Sequence, residues 1–433
     1  MINTKYVREH LAEIRETLKN RASKFPLDDL LAADEKWRKL KTELQELQSK
    51  RNKASIEISE AKKKGQEIKD KIAALASLKT QTEAMETEIA KYEAQIDALV
   101  WNVPNALDKS VPIGMPPEAN KTLKVVGEIK KKSGPNHEEI LTKLGLLDVE
   151  RAAKTAGARF YFLKGDLVLL EQSLLRYALD KMSKKGYTPV LPPFMLRKKY
   201  YRGVAPLGVF EDALYKISEA SEAAGIKDAE HLDDELFLIS TAEHALASMH
   251  AEEMIPAADL PLKYAGLSPS FRREAGSHGK DTKGIFRVHQ FDKVEQFIYC
   301  KPEDDDKYFK ELLGNTDEIL TELDIPYRFV SLCSGDTGHQ MTRTVDFECW
   351  FPGQKDYREL GSCSSAADWQ SRRLDIQYEE KGERKYVYTL NNTAISAQRT
   401  LACLIENYAN ADGSVSVPNI LVPYMGKSKI VRQ

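Results

Sequence analysis

Residues 268–300 read SPSFRREAGSHGKDTKGIFRVHQFDKVEQFIYC. Glycines at 276, 279 and 284 bracket a polar, basic loop, and an alternating run follows from Ile285 to Cys300. The pattern predicts a strand, a loop and a second strand, and hence an antiparallel sheet in an α+β domain. Side chains two apart share a strand face. Arg272 and Glu274 therefore point together. On the second strand Arg287, His289, Phe291, Lys293, Glu295 and Phe297 share one face. Phe286, Val288, Val294 and Ile298 form the opposite, core-like face. A face that gathers Arg272, Arg287, Phe291, Glu274 and Glu295 makes a poor core. It suits a ligand with anionic, aromatic and cationic parts, because arginine grips phosphate with a planar fork and a carboxylate holds an ammonium group. A solvated face laced with salt bridges fits the same residues equally well.

Three further segments bear on that choice. In LISTAEHAL, Thr241 and Glu243 lie two apart at a predicted strand end. In YRELGSCSS, Glu359 and Ser362 offer hard oxygen ligands suited to Mg²⁺. In LNNTAISAQRTLACLIEN, polar Asn391–Thr393 precede an amphipathic helix that turns Leu401, Leu404 and Ile405 inward and carries Arg399. Taken singly, a helix cap or a surface carboxylate accounts for each. Other phosphate motifs fail. Gly426-Lys427-Ser428 ends like a P-loop, but Leu421 stands where the upstream glycine belongs, and no GxGxxG follows a strand. No HExxH pair occurs among the eight histidines.

The chain has 433 residues, with 64 basic and 66 acidic side chains, 42% apolar and 30% charged. That apolar fraction excludes wholesale disorder, and the length suggests two or three domains. A net charge of −2 excludes a uniformly basic coat but not a local basic face. The five cysteines, at 300, 333, 349, 363 and 403, have no CxxC spacing, which speaks against a disulfide framework or a zinc knuckle. The opening MINTKYVREHLAEIRE lacks an apolar signal core, and no apolar run approaches the roughly 20 residues of a membrane helix. A reduced, cytoplasmic protein with no membrane partner is expected.

Residues 28–100 contain no proline and one glycine, Gly65. Trp37, Leu40, Leu44, Leu47, Arg51 (a break), Ala54, Ile58 and Ala61 recur in steps of three and four. Leu78, Thr82, Met85, Ile89, Tyr92, Ile96 and Leu99 do the same. The reading is an antiparallel coiled-coil hairpin reversing at Gly65, whose arms of about 36 residues would reach roughly 55 Å. Residues 36–64 hold ten basic and four acidic side chains, whereas 65–100 hold four and seven. Such a basic stripe either is a solvated face or tracks a phosphate backbone. The expected organisation is a helical domain at 1–100, a proline-rich linker at 101–126 and one large α+β domain at 127–433.

With these motifs in hand, the chain resembles the seryl-tRNA synthetases, a class II aminoacyl-tRNA synthetase family, nearly end to end. The likeness takes in the hairpin with RNKASIEI, ARFYFLKGDL, the motif-1-like GYTPVLPPF and TAE at 241–243. It continues through the motif-2-like FRREAGS…FRVHQFDKVEQF, YRELGSCS, the motif-3-like LNNTAISAQRT and VPYMGKSKI. The resemblance implies an antiparallel class II catalytic sheet with flanking helices, in a homodimer. It implies that L-serine and ATP form seryl-adenylate, and that the seryl group then passes to the 3′ end of tRNA(Ser), and of tRNA(Sec) where present.

By resemblance, Thr241, Ala242, Glu243, Glu295, Thr393 and Asn391 form the serine pocket. Arg272, Arg273, Glu274, Arg287, Val288, Phe291, Glu359, Leu360, Gly361, Ser362 and Arg399 form the ATP site. In it Arg272 and Arg399 are catalytic, Phe291 stacks on adenine, and Glu359 and Ser362 bind Mg²⁺. Strand alternation turns Val288 to the core, so its contact would be through backbone. Lys50, Arg51 and Lys53 would meet tRNA. YYRGVAPLGVFEDALYKI replaces the GQLPKF stretch of many bacterial members, an acidic, alanine-rich insertion occupies 219–235, and no catalytic zinc is expected. A non-catalytic paralogue, or an activator that loads a carrier protein, remains an alternative. Intact Arg272, Glu274, Glu295 and Arg399 argue against the first and the hairpin against the second.

Overall fold

The computed structural model describes residues 4–207, 211–217, 235–274 and 284–432. The chain divides into two compact units, one ending at Pro104 and the other running from Asn105.

The first unit holds α1 (Thr4–Glu9), α2 (Leu11–Asn20), α3 (Leu27–Lys63) and α4 (Lys69–Val100). Gly65, at φ +65°, turns the chain between the two long helices, a backbone conformation that glycine adopts without steric cost. Trp37 Nε1, early in α3, donates to Glu93 Oε1, late in α4, at 3.0 Å, so the helices run antiparallel. The less exposed positions along both helices are those of the two predicted seams. Arg51 occupies a seam position and is half-buried, while Lys50 and Lys53 are exposed. At the base, the buried Asp34 accepts from Arg8 at 2.5 Å and Arg38 at 2.9 Å, which ties α1 to α3.

The second unit is built on an eight-stranded sheet. Its main elements, in chain order, are β1 (Lys121–Val126), α5 (His137–Leu144), α6 (Asp166–Lys184), β2 (Thr188–Val190), α7 (Ala242–Ser248), β3 (Leu262–Phe271), β4 (Gln290–Cys300), α8 (Asp305–Glu322), β5 (Tyr327–Ser331), β6 (Arg343–Phe351), β7 (Asp356–Ala367), α9 (Trp369–Leu374), β8 (Tyr388–Ser396) and α10 (Ala397–Tyr408). The strand order is β1-β5-β6-β7-β8-β4-β3-β2. Every pairing is antiparallel except that of β2 with β3. One face is sealed by α6, α8 and α10, whose Leu170, Leu174, Leu312, Ile319, Leu401 and Leu404 pack on Val294, Ile298, Val345 and Phe347. The other face carries a smaller core, in which Phe297 and Tyr299 meet Ala242, Leu246 and Phe237. Beside that core the same face carries Lys293 and Glu295, with Thr393 opposite Glu295.

Three expectations change. Within the expected linker, residues 105–126 belong to the second unit and are pinned to it. Asn105 Nδ2 donates to the carbonyls of Gln340 and Ala366, Ser334 and Gly335 donate their backbone N–H groups to Pro112 and Gly114, and β1 forms the sheet edge. The reason is physical. An edge strand exposed along five of six residues, and a segment pinned mostly through backbone, leave no apolar period to read. Second, the strand predicted from Ile285 begins at Gln290, so alternation does not place Arg287 or His289. His289 instead donates its backbone N–H to Arg159 O and stacks on Phe160. Phe297, expected beside the charged residues, closes the smaller core. Residues 275–283 of the predicted loop and 219–234 of the insertion lie outside the described residues.

Candidate active site

A cavity of about 340 Å³ opens on the second sheet face, lined by Tyr201, Thr241, Glu243, His244, Arg272 and Glu274 among others. Thr241 caps α7, its hydroxyl accepting from the Glu243 backbone N–H at 3.2 Å. That bond starts the helix and fixes where Glu243 emerges. Glu243 is 6% exposed and accepts from Gln370 Nε2, on α9, at 2.9 Å; Gln370 Oε1 in turn accepts from Thr389. Asn391, two residues before Thr393 on β8, also lies beside Glu243. Burial, and then the nearby Glu295 charge, push the Glu243 carboxyl up to about 7. Ala242, fully buried, packs toward Gly266, so its side chain belongs to the core.

Glu295 is 1% exposed and forms an ion pair with Lys293, two residues earlier on the same strand. Its register partner across the sheet is the buried Thr393. Burial raises the Glu295 pKa, while Lys293 and Arg272 oppose the rise. One end of the site thus combines two buried carboxylates, a hydroxyl and balancing cations. His244, between Glu243 and the Tyr201 ring, is held neutral: burial, then Arg272 and Lys293, lower its pKa to about 3.

The other end is cationic and aromatic. Arg272 lies over the Phe291 ring at 5.1 Å, and its Nε donates to Ser240 O at 3.4 Å. Arg287 Nε meets Glu274 Oε2 at 3.0 Å. Arg399, on the first turn of α10, pairs with Glu359 Oε1 at 3.0 Å and lies over Phe286 at 5.2 Å. Arg399 first of all holds the Glu359 carboxyl below its usual range. Val288 is buried, as expected.

Some expected residues stand apart. Arg273 is exposed and does not line the cavity, although its N–H donates to Ala213 O at 2.9 Å. Leu360 is buried in the main core, so it can offer backbone alone. At Gly361 an added Cβ would fall 2.6 Å from both Phe347 and Thr393, so a side chain is excluded. Ser362 pairs in register with Asp346, whose carboxyl is pushed well up by burial and then by Glu359. Asp346, Gln370 and Lys293 belong to the site but were not singled out as ligand-binding by the sequence. Lys293 was visible on its face. Asp346 reaches the site through sheet register and Gln370 from helix α9, and neither leaves a local signal.

Among the described residues no group of three or more His, Cys, Asp and Glu side chains could hold a metal ion. Glu359 and Ser362 fit a hard cation only if other oxygens complete its shell. Nor is any described helix long and apolar enough to cross a membrane.

The chain is similar to known proteins over its whole length. Residues 1–107 match the family model "Seryl-tRNA synthetase N-terminal domain", and residues 220–408 match "tRNA synthetase class II core domain (G, H, P, S and T)". A serine–tRNA ligase of Thermococcus sibiricus is 40% identical, covering 100% of this chain and 98% of the relative. A seryl-tRNA synthetase of Pyrococcus horikoshii solved with ATP superposes with a TM-score of 0.87 at 37% identity, over 100% of both chains. A cytoplasmic serine–tRNA ligase of Naegleria fowleri solved with AMP gives 0.81 at 33%, over 98% of this chain and 96% of the other.

Proposed function

The chain belongs to the seryl-tRNA synthetase family, and on that basis we propose how its site carries out the family's reaction. It is an ATP-dependent serine–tRNA ligase. L-serine and ATP give seryl-adenylate and pyrophosphate, and the seryl group is then transferred to the 3′ end of tRNA(Ser). The same chemistry extends to tRNA(Sec) where that tRNA is present. One observation carries the residue assignment. A cavity lined by the buried Glu243, with the Glu295 charge beside it, is also lined by Arg272, which stacks on Phe291.

Serine binds at the carboxylate end, with its ammonium against Glu243 and its hydroxyl bonded by Glu295 and Thr393. Asn391 and Thr241 orient Glu243. Alanine is rejected because it would leave buried polar groups unpaired. ATP binds at the cationic end, its adenine on Phe291, with Glu274, Arg287 and the backbone of Val288, Leu360 and Gly361 as further contacts. A serine carboxylate oxygen attacks the α-phosphorus, and the bond to pyrophosphate breaks. Arg272 and Arg399 oppose the charge that grows on the phosphate oxygens, and the fixed site aligns the attack. In the second step a ribose hydroxyl of the tRNA attacks the seryl carbonyl and AMP leaves. No side chain needs to become a covalent nucleophile.

Mg²⁺ would be held by Glu359 and Ser362 together with nucleotide phosphate oxygens, and would neutralise phosphate charge. Exposed Lys50 and Lys53, with half-buried Arg51, give α3 a basic stretch for a tRNA backbone. Exposed apolar Leu169 on α6, and Leu191 and Phe194 just after the sheet edge β2, favour a homodimer that covers them. Five free, buried cysteines suit a reduced cytoplasmic setting. The test is ATP–pyrophosphate exchange with each amino acid in turn. Serine should support it. Exchange with another amino acid and not serine would overturn the reading.

A further inference from the structure

Behind the nucleotide end of the site lies a buried junction that the chemistry above does not use. His137, at the start of α5, is 4% exposed and Glu406, on α10, is fully buried. Glu406 Oε1 accepts the His137 backbone N–H at 3.0 Å and lies 2.9 Å from His137 Nδ1. Glu406 Oε2 accepts the Gly353 N–H at 2.8 Å. On the far side of the ring, His137 Nε2 stands 3.2 Å from the Ile285 amide nitrogen. A backbone N–H can only donate, so Nε2 is the bare acceptor. The ring proton is therefore assigned to Nδ1, which donates it to Glu406. Gly284, at φ +71°, lets the chain pass this close, since a Cβ there would fall 2.2 Å from His137 Nε2.

The junction gathers three of the segments that carry the nucleotide end. Ile285 leads directly into Phe286, whose ring lies under the guanidinium groups of Arg399 at 5.2 Å and Arg358 at 4.8 Å. Arg287, next along, holds Glu274. Glu406 lies seven residues beyond Arg399, about two turns along the same helix and on the same face. Gly353 belongs to the turn between β6 and β7, and β7 bears Glu359.

We propose that His137 is a positioning residue for seryl-adenylate formation: through the Ile285 N–H it seats Phe286 and Arg287, and through Glu406 it locks that segment to the Arg399 helix. This rests on the assignment of the cationic end to ATP. His137 itself touches no substrate.

The test uses the full-length protein and two substitutions that divide the ring's functions. In His137→Gln the carboxamide oxygen reaches the place of Nε2 and can accept from Ile285. In His137→Asn the shorter carboxamide can donate to Glu406 but cannot reach Ile285. Serine-dependent ATP–pyrophosphate exchange should show a rise of about tenfold in KM for ATP in His137→Asn, the scale of one missing buried hydrogen bond. KM for serine should stay within about twofold, and His137→Gln should keep a near wild-type KM for ATP. Unchanged KM for ATP in a folded His137→Asn protein, or equal rises for ATP and serine, would overturn the proposal. If His137→Asn does not fold, Gly284→Ala, which crowds Nε2, should show the same selective rise, and its absence overturns the proposal equally. A wild-type protein without serine-dependent exchange would fail at the level of the site assignment itself, and the proposal would fall with it.

Discussion

In the arm, residues 36–64 hold ten basic side chains and none of them is buried. In the sheet unit, Lys293, Glu295 and Glu243 are 7%, 1% and 6% exposed. The two regions use charge in opposite ways. Solvated charges on α3 act additively, at a distance and under salt screening. Buried charges act on atoms in contact, and removing one leaves its partner unpaired in a medium that penalises it. Changes in the sheet unit should therefore be large and specific, and changes in the arm graded and salt-dependent.

The largest effect is expected for Arg272→Ala. Loss of a preorganised cation at the reacting phosphate should lower adenylate formation by about 10²–10³-fold, measured as serine-dependent pyrophosphate exchange on a protein with an unchanged circular dichroism spectrum. Near wild-type exchange would remove Arg272 from its role. Next comes Glu295→Ala, which should raise KM for serine by more than tenfold with a smaller change in ATP affinity by calorimetry. It should also lower the thermal midpoint, because Lys293 stays buried without its partner. ATP affinity that collapses as far as serine affinity would contradict the division of the site.

Protonation gives a third, smaller contrast. Burial and the Glu295 charge push the Glu243 carboxyl up to about 7, and it must be charged to hold an ammonium group. The kcat/KM for serine in exchange assays should rise several-fold from pH 6 to pH 8. Stability runs the other way. The folded state holds this proton more tightly than the unfolded chain does, whose carboxyl keeps the ordinary 4.5. The group's contribution is full below pH 4.5 and is lost as pH rises through about 7. Glu243→Gln should flatten both profiles. The smallest effect is the graded one. Replacing Lys50, Arg51 and Lys53 with alanine should weaken tRNA binding and flatten its salt dependence. The log–log slope should shrink by roughly 0.7–0.9 for each phosphate that is no longer neutralised. An unchanged slope would mean that this stretch faces solvent alone.

The same contrast explains what could be read from the sequence. The seams of α3 and α4 were legible because one apolar stripe obeys one period along an uninterrupted helix. The face of β4 was legible because Phe291, Lys293 and Glu295 alternate with Val294 and Ile298 in a regular strand. Near Glu359 the rule fails. The register shifts between β6 and β7, so that Leu360 and Cys363, three apart, both turn into the core. That bulge leaves Leu360 as backbone alone. Gln370 and the His137–Glu406 pair were not legible, since their partners lie 127 and 269 residues away and only the folded sheet brings them together. Thr241 shows how local chemistry misleads. As a helix cap it is fully explained, yet capping is what presents Glu243 to the cavity.

The most direct measurement pairs the two regions in one experiment. The full chain and a variant lacking residues 32–97 are assayed for amino-acid-dependent ATP–pyrophosphate exchange and for charging of tRNA(Ser). The account predicts exchange with serine in both proteins, within about threefold of each other. Charging should fall by at least about 10²-fold in the deletion, as expected when several phosphates lose their cationic partners together. Normal charging by the deletion variant would contradict a tRNA-binding arm, and no serine-dependent exchange in the full chain would contradict the site.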